Sequence, residues 1–166
     1  MTDVAQDLVE ARLQAGSPVR FHVFTTSMLP TLRPGDALIV ERAAVAEFVP
    51  GALVVIRNGS AWVVHRLILR QTAGQSLQLL TKGDHQLFAD TGFEGALPVG
   101  VVQSIQRGNC SIDLSAQRAR YGGLLIAWIS RIQAGLHRPA PGFLRKLILQ
   151  GLYQGIYILA MLVYKP

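Results

Sequence analysis

The sequence predicts a mainly β domain preceded by a short N-terminal helix and followed by a C-terminal apolar helical appendage. Three observations carry that expectation. Between residues 19 and 107, short runs rich in Val, Ile and Leu alternate with Gly, Pro, Asn and Asp turn pairs. Beyond Leu114 the strand pattern stops, and two long apolar stretches of helical character follow. Charge divides at the same place: no Asp or Glu occurs after Asp113, whereas seven Lys or Arg do.

On this reading the 166 residues fall into a helix at 1–16, a β domain at 17–113 and a basic helical tail at 114–166. Val4, Leu8, Ala11 and Leu13 recur at helical spacing behind a Thr2 or Asp3 cap, and Gly16 ends the run. Strands are predicted at 19–24, 37–42, 52–57, 61–70, 76–81 and 99–107. Pro34-Gly35-Asp36, Pro50-Gly51, Asn58-Gly59 and Ala73-Gly74 separate them. Asn58-Gly59 between two Val-rich runs is a hairpin signal, so the sheet pairing is expected to be mostly antiparallel. From Arg118 to Gly135, Leu124, Leu125, Ile126, Trp128, Ile129 and Ile132 suit a helix that the proline-containing segment His137–Gly142 breaks. A second apolar helix is expected from Phe143 to Lys165.

Half of the residues are hydrophobic and 16% are charged, against about 25% in ordinary soluble domains. The net charge is +6. A basic, acid-free, apolar tail at 118–166 fits an anionic membrane surface better than nucleic acid, because its basic and aromatic residues are not interleaved on a polar face. From Leu147 to Tyr164 the second helix approaches the roughly 20 residues that span a bilayer, although two glutamines and three tyrosines interrupt it. Spanning, lying in the interface and packing as core all remain open for it. If it spans, Arg138, Arg145 and Lys146 outweigh Lys165 and put the β domain on the cytoplasmic side. The expectation is thus a membrane-associated chain with a cytoplasmic β domain, a soluble cytoplasmic protein being the alternative. The acidic, mixed residues 1–8 do not resemble a secretory signal peptide, and the single Cys110 allows neither an intrachain disulfide nor a cysteine metal cluster. No cofactor or metal is expected.

The chemistry centres on Thr25–Asp36, where Ser27 stands on a short turn stiffened by Pro30 and Pro34. A hydroxyl on a rigid turn can act as a nucleophile if a base lies within hydrogen-bond reach. Four histidines are available. His65 sits mid-strand among apolar residues, and a neutral imidazole there is either a satisfied core group or a base. His22, His85 and His137 read as structural or solvated. Lys82 is a rival base, but its place beside a turn predicts solvation. Asp84 and Asp90 are the candidates for the carboxylate that orients the imidazole, and Asp36 reads as a brace of the serine turn through backbone bonds.

Ser27-Met28-Leu29-Pro30-Thr31 with Pro34-Gly35-Asp36, then Gly51 with its Val-Val-Ile strand, His65-Arg66, and Lys82-Gly83-Asp84 with Asp90 six residues on, resemble the type I signal peptidase superfamily of S24/S26 serine peptidases. The boxes agree in order and spacing over roughly residues 17–107. Within the superfamily the chain is more similar to the archaeal and endoplasmic-reticulum-type branch, which has histidine where most bacterial enzymes have lysine before the arginine. The resemblance implies a β domain of two small antiparallel sheets, with Ser27 as nucleophile, His65 as general base and Asp90 as the acidic member. It also implies supporting roles for Asp84 and Met28, and a hydroxyl from Thr25 for the oxyanion. LexA-like repressor peptidases share the fold and the Ser-Met turn, but use lysine and cut themselves at Ala-Gly; Ala15-Gly16 here reads as a helix end.

The implied activity is a serine endopeptidase acting on a peptide or precursor protein, after small side chains. The chain departs from the family in beginning with a short polar helix rather than a membrane anchor. The trimming of exported signal peptides therefore transfers poorly, and a specialised leader or maturation peptidase is compatible with this departure. The alternative is a scaffold that binds peptides or docks on a membrane without chemistry.

Overall fold

The computed structural model describes residues 3–59, 61–73, 76–90, 97–135 and 143–165. Helix α1 (Asp3–Gln14) leads into strands β1 (Val19–His22), β2 (Ala37–Glu41), β3 (Leu53–Asn58), β4 (Ala61–Ala73), β5 (Ser76–Lys82), β6 (Leu97–Arg107) and β7 (Cys110–Asp113). Helices α2 (Gln117–Gly135) and α3 (Phe143–Val163) follow. All strand pairs are antiparallel, in the order β1-β2-β6-β3-β4-β5 with β7 added to β6.

The sheet is therefore one continuous, curled layer, where two small sheets were implied. Long β6 is the reason. One of its edges pairs with β2, while its other edge takes β3 along Leu97–Val101 and β7 along Ser104–Arg107. The extra strand β7 arises from a hairpin at Gly108-Asn109, a turn that the strand pattern of the sequence did not single out.

Period-two alternation gives the sheet two apolar faces. Leu38, Val40, Leu53, Val55, Val102 and Ile105 join the main core, which Leu13 of α1, Ile126 of α2 and Ile156 and Ala160 of α3 complete. On the opposite face Val54, Ile56 and Leu67 form a smaller core beneath Phe48. The stripe that α1 buries differs from the expected one. Gln6 and Leu13 are buried with Val9 against the core, whereas Leu8 is 63% exposed. The buried residues are spaced i, i+3 and i+7, a set that contains a glutamine and so escapes an apolar count.

Docking of α2 depends on a glycine contact. A Cβ on Gly51, which has φ +96°, would lie 2.6 Å from the Leu124 backbone nitrogen, and one on Gly123 would lie 2.8 Å from the Gly51 carbonyl oxygen. The helix backbone thus rests directly on the turn before β3. Helix α3 packs on α2 and buries Ile156, Ala160 and Val163, with Tyr164 just beyond its end. The second helix hence lies along the β domain as part of the main core. Among the described residues, no helix is long and apolar enough to cross a membrane.

Candidate active site

The two ends of the strand path meet at Ser27. The serine follows β1, and its carbonyl oxygen accepts the His85 N–H, just past β5, at 2.9 Å. Gly83 makes this approach feasible, because a Cβ there would stand 2.6 Å from the Ser27 carbonyl oxygen. The turn itself is pinned from behind. Asp36 accepts the Arg33 N–H at 2.8 Å and a two-pronged ion pair from Arg107, at 3.0 Å from Nε and 2.7 Å from Nη2. Asp36 is thus the brace expected of it, with Arg107 as a partner the sequence did not reveal. Arg107 Nη2 also donates to the Thr31 carbonyl.

Histidine 65 lies on the smaller-core face of β4, opposite Val54 of β3. Its Nε2 is 3.2 Å from Ser27 Oγ, and its Nδ1 is 2.7 Å from Asp90 Oδ2. A neutral imidazole protonated on Nδ1 donates to Asp90 and offers the Nε2 lone pair to the serine hydroxyl. Asp90 is itself held twice by Thr81, whose Oγ1 donates to Oδ2 at 2.6 Å and whose carbonyl accepts the Asp90 N–H at 2.8 Å. His65 is 5% exposed, so its pairing with the carboxylate is largely shielded from water. Thr25 Oγ1 stands 3.4 Å from Ser27 Oγ, on the exposed side of the turn.

Comparison with family models, curated proteins and solved structures returns no match.

One residue along, Arg66 leaves β4 on the other face and organises a second, fully buried cluster. Its Nε and Nη2 grip Asp84 Oδ1 and Oδ2 at 2.8 and 2.7 Å, Nη1 reaches the Gly51 carbonyl at 2.8 Å, and the ring of Tyr164 lies 5.5 Å from the guanidinium carbon. Thr31 Oγ1 adds a 2.5 Å donation to Asp84 Oδ2. Burial alone would lower the Arg66 pKa, yet Asp84, with help from Tyr164, raises it above the ordinary value. Asp84 therefore ties the serine turn, β4 and the chain beyond α3 together, while Asp90 is the carboxylate on the histidine. Met28 is 2% exposed, and its Sδ accepts the Asp84 N–H at 3.4 Å, so it supports the turn from the core side.

Lys82 corrects an expectation. It is fully buried rather than solvated, as the cross-strand partner of Arg66, with Nζ 3.4 Å from the Gly83 carbonyl oxygen. Desolvation lowers its pKa to about 8, with Arg66 adding to the fall and Asp84 and Asp90 opposing it. The turn that suggested solvation begins one residue later. His22 and His85 are exposed, and His85 Nδ1 hydrogen-bonds the Tyr153 hydroxyl of α3 at 2.5 Å. His137 and residues 91–96 lie outside the described residues.

The sequence assigns no role to Arg66, which appears only as the neighbour of His65 in a motif, nor to Thr81, Arg107 or Tyr164. A signal existed for Arg66: a permanent cation in an apolar strand, at a position whose alternation faces the main core, has to find an anion. No comparable local sign marks Thr81 or Tyr164.

Proposed function

We propose that this chain is a serine endopeptidase in which Ser27 attacks, His65 moves the proton and Asp90 holds the imidazole. The observation that carries the reading is the unbroken chain Ser27 Oγ, His65 Nε2, His65 Nδ1, Asp90 Oδ2, with steps of 3.2 and 2.7 Å across the imidazole. In acylation, Ser27 Oγ bonds to the scissile carbonyl carbon while its proton passes to His65 Nε2. The tetrahedral intermediate then collapses, the C–N bond breaks, and the imidazolium returns the proton to the leaving amine. Water attacks the resulting ester by the same route in reverse. The Thr25 hydroxyl, 3.4 Å from Ser27 Oγ, supports a role as donor to the oxyanion.

Exposed Phe24, Leu87 and Phe88 flank the site along the chain, and the edge strands β1 and β5 lead into it. An extended peptide lying against such an edge can present its carbonyl to Ser27. The resemblance of the Ser27-Met28, His65-Arg66 and Lys82-Gly83-Asp84 motifs to those of signal peptidases supports cleavage after small side chains, in a leader or other precursor. The test is labelling of Ser27 by a fluorophosphonate probe, which phosphonylates an activated serine with loss of fluoride, together with mass-spectrometric detection of cleavage in candidate precursor peptides. Wild type should be labelled and cut, and Ser27→Ala and His65→Ala should lose both activities, on the order of 10⁶-fold in turnover for the serine. Cleavage that persists in Ser27→Ala would end the proposal, and an unlabelled, inactive wild type would favour a peptide-binding scaffold.

A further inference from the structure

Helix α2 is apolar on two opposite sides. Toward the sheet it buries small or compact groups, among them Ala119, Gly122, Ile126 and Ala127. On its far side Tyr121, Leu124, Leu125 and Trp128 follow the i, i+3, i+4, i+7 pattern of a single stripe and stand 70%, 50%, 47% and 61% exposed. Helical spacing puts exposed Arg120 and Arg131 along one border of this stripe and exposed Arg118 along the other. Helix α3 repeats the design, with Leu147, Ile158 and Leu162 exposed opposite its buried Ile156 and Ala160. The Arg118 guanidinium donates to the Leu162 carbonyl, so the two stripes adjoin.

Single exposed apolar side chains are ordinary, but a platform of this kind marks an interaction surface. Trp and Tyr among leucines, bordered by arginines, match the polarity profile of the boundary between lipid headgroups and acyl chains. We infer that the exposed face of α2 and α3 docks in plane on an anionic membrane, with Trp128 and Leu124 entering the boundary and the arginines meeting lipid phosphates. Charge decides against a second copy of this chain as the occupant: with no acid after Asp113, two such platforms face each other with like charge.

The inference stands apart from the peptidase reading, since Ser27→Ala should bind vesicles as wild type does. The experiment is flotation of the full chain with phosphatidylcholine vesicles, with and without a quarter of phosphatidylglycerol, followed by Trp emission. Wild type should float with the anionic vesicles, its emission should shift to the blue, and salt should weaken the binding. Each arginine near the surface is worth about fivefold in partitioning, so Arg120→Gln/Arg131→Gln should lose roughly thirtyfold. Leu124→Glu/Trp128→Glu should not float, with unfolding midpoints showing both variants folded. Equal flotation of wild type and the glutamate variant would overturn the inference. So would a dimer in sedimentation velocity that Trp128→Glu dissolves without any vesicle binding.

Discussion

Replacing Lys82 with methionine should remove a pH-dependent burden on the fold. The Lys82 ammonium has an ordinary pKa of 10.5 in the unfolded chain and about 8 in its buried site, where desolvation is the main cause. Below pH 8 both states hold the proton, and the cost of burying the charge is fully present. Between pH 8 and 10.5 the unfolded chain binds more proton than the folded one, so stability rises with pH across that window and levels off above it. At about 1.4 kcal/mol per pH unit, the separation is worth on the order of 3 kcal/mol. The assay is urea unfolding of wild type and Lys82→Met across this range, with the difference between the two curves isolating the lysine from tyrosines and other groups. Wild type should gain about 3 kcal/mol relative to the variant on passing from neutral to alkaline pH. A flat difference would refute the reasoning, because it would mean that the ammonium keeps its hydration in the folded state. The same variant bears on the base: cleavage retained in Lys82→Met leaves His65 in that role, whereas a loss as deep as that of His65→Ala would move it to the lysine.

Further outcomes follow from the two carboxylates and the threonine at the nucleophile. Asp90→Asn keeps the shape of the site but no longer favours the Nδ1-protonated imidazole, so turnover should fall about 10⁴-fold with little change in unfolding midpoint. Asp84→Asn should do the reverse, costing about 3–5 kcal/mol in unfolding free energy by leaving the buried Arg66 charge without its counter-ion. If instead Asp84→Asn abolished turnover without destabilising the protein, the assignment of the two aspartates would be wrong. Thr25→Val should lower turnover by roughly 10²–10³-fold at nearly unchanged KM if its hydroxyl serves the oxyanion, as single-turnover kinetics can show.

The parts of the site legible in the sequence were those whose residue type conflicts with their surroundings. A serine on a doubly proline-stiffened turn and a histidine inside an apolar strand both stand out, because each needs a reason to be there. The choice between Asp84 and Asp90 was not legible: both are acids of one loop, and what separates them is the face of β4 that each meets, His65 on one side and Arg66 on the other. The burial of Lys82 departs from expectation for a related reason. Proximity to a turn predicts exposure on average, yet as the last residue of β5 it is fixed opposite Arg66 and takes on that residue's burial. The observed strands β1–β6 lie close to the bounds the sequence predicts because Val- and Ile-rich segments and Gly turns act locally. The joining of all the strands through β6 depends on which edges find each other across long separations, and no local residue encodes that.

The helical tail is where composition said least about arrangement and where the fold adds most. Its apolar content alone is compatible with spanning, surface lying or core packing, since each needs a hydrophobic stripe. The fold assigns one stripe of each helix to the core and leaves a second to the outside, and it ties α3 and the residue that follows it to the site at two points. Tyr153 meets His85, whose N–H holds the Ser27 carbonyl, and Tyr164 meets Arg66, the neighbour of His65 in β4. Both contacts lie one step from the proposed nucleophile or base. Deleting α3 would therefore uncover Arg66 and loosen the serine turn as well as remove a membrane face, and its effects could not be assigned to either cause. Point changes confined to the outward stripe, at Leu124 and Trp128, separate the two, because those side chains are about half exposed or more and the core contacts of α2 lie on the opposite side.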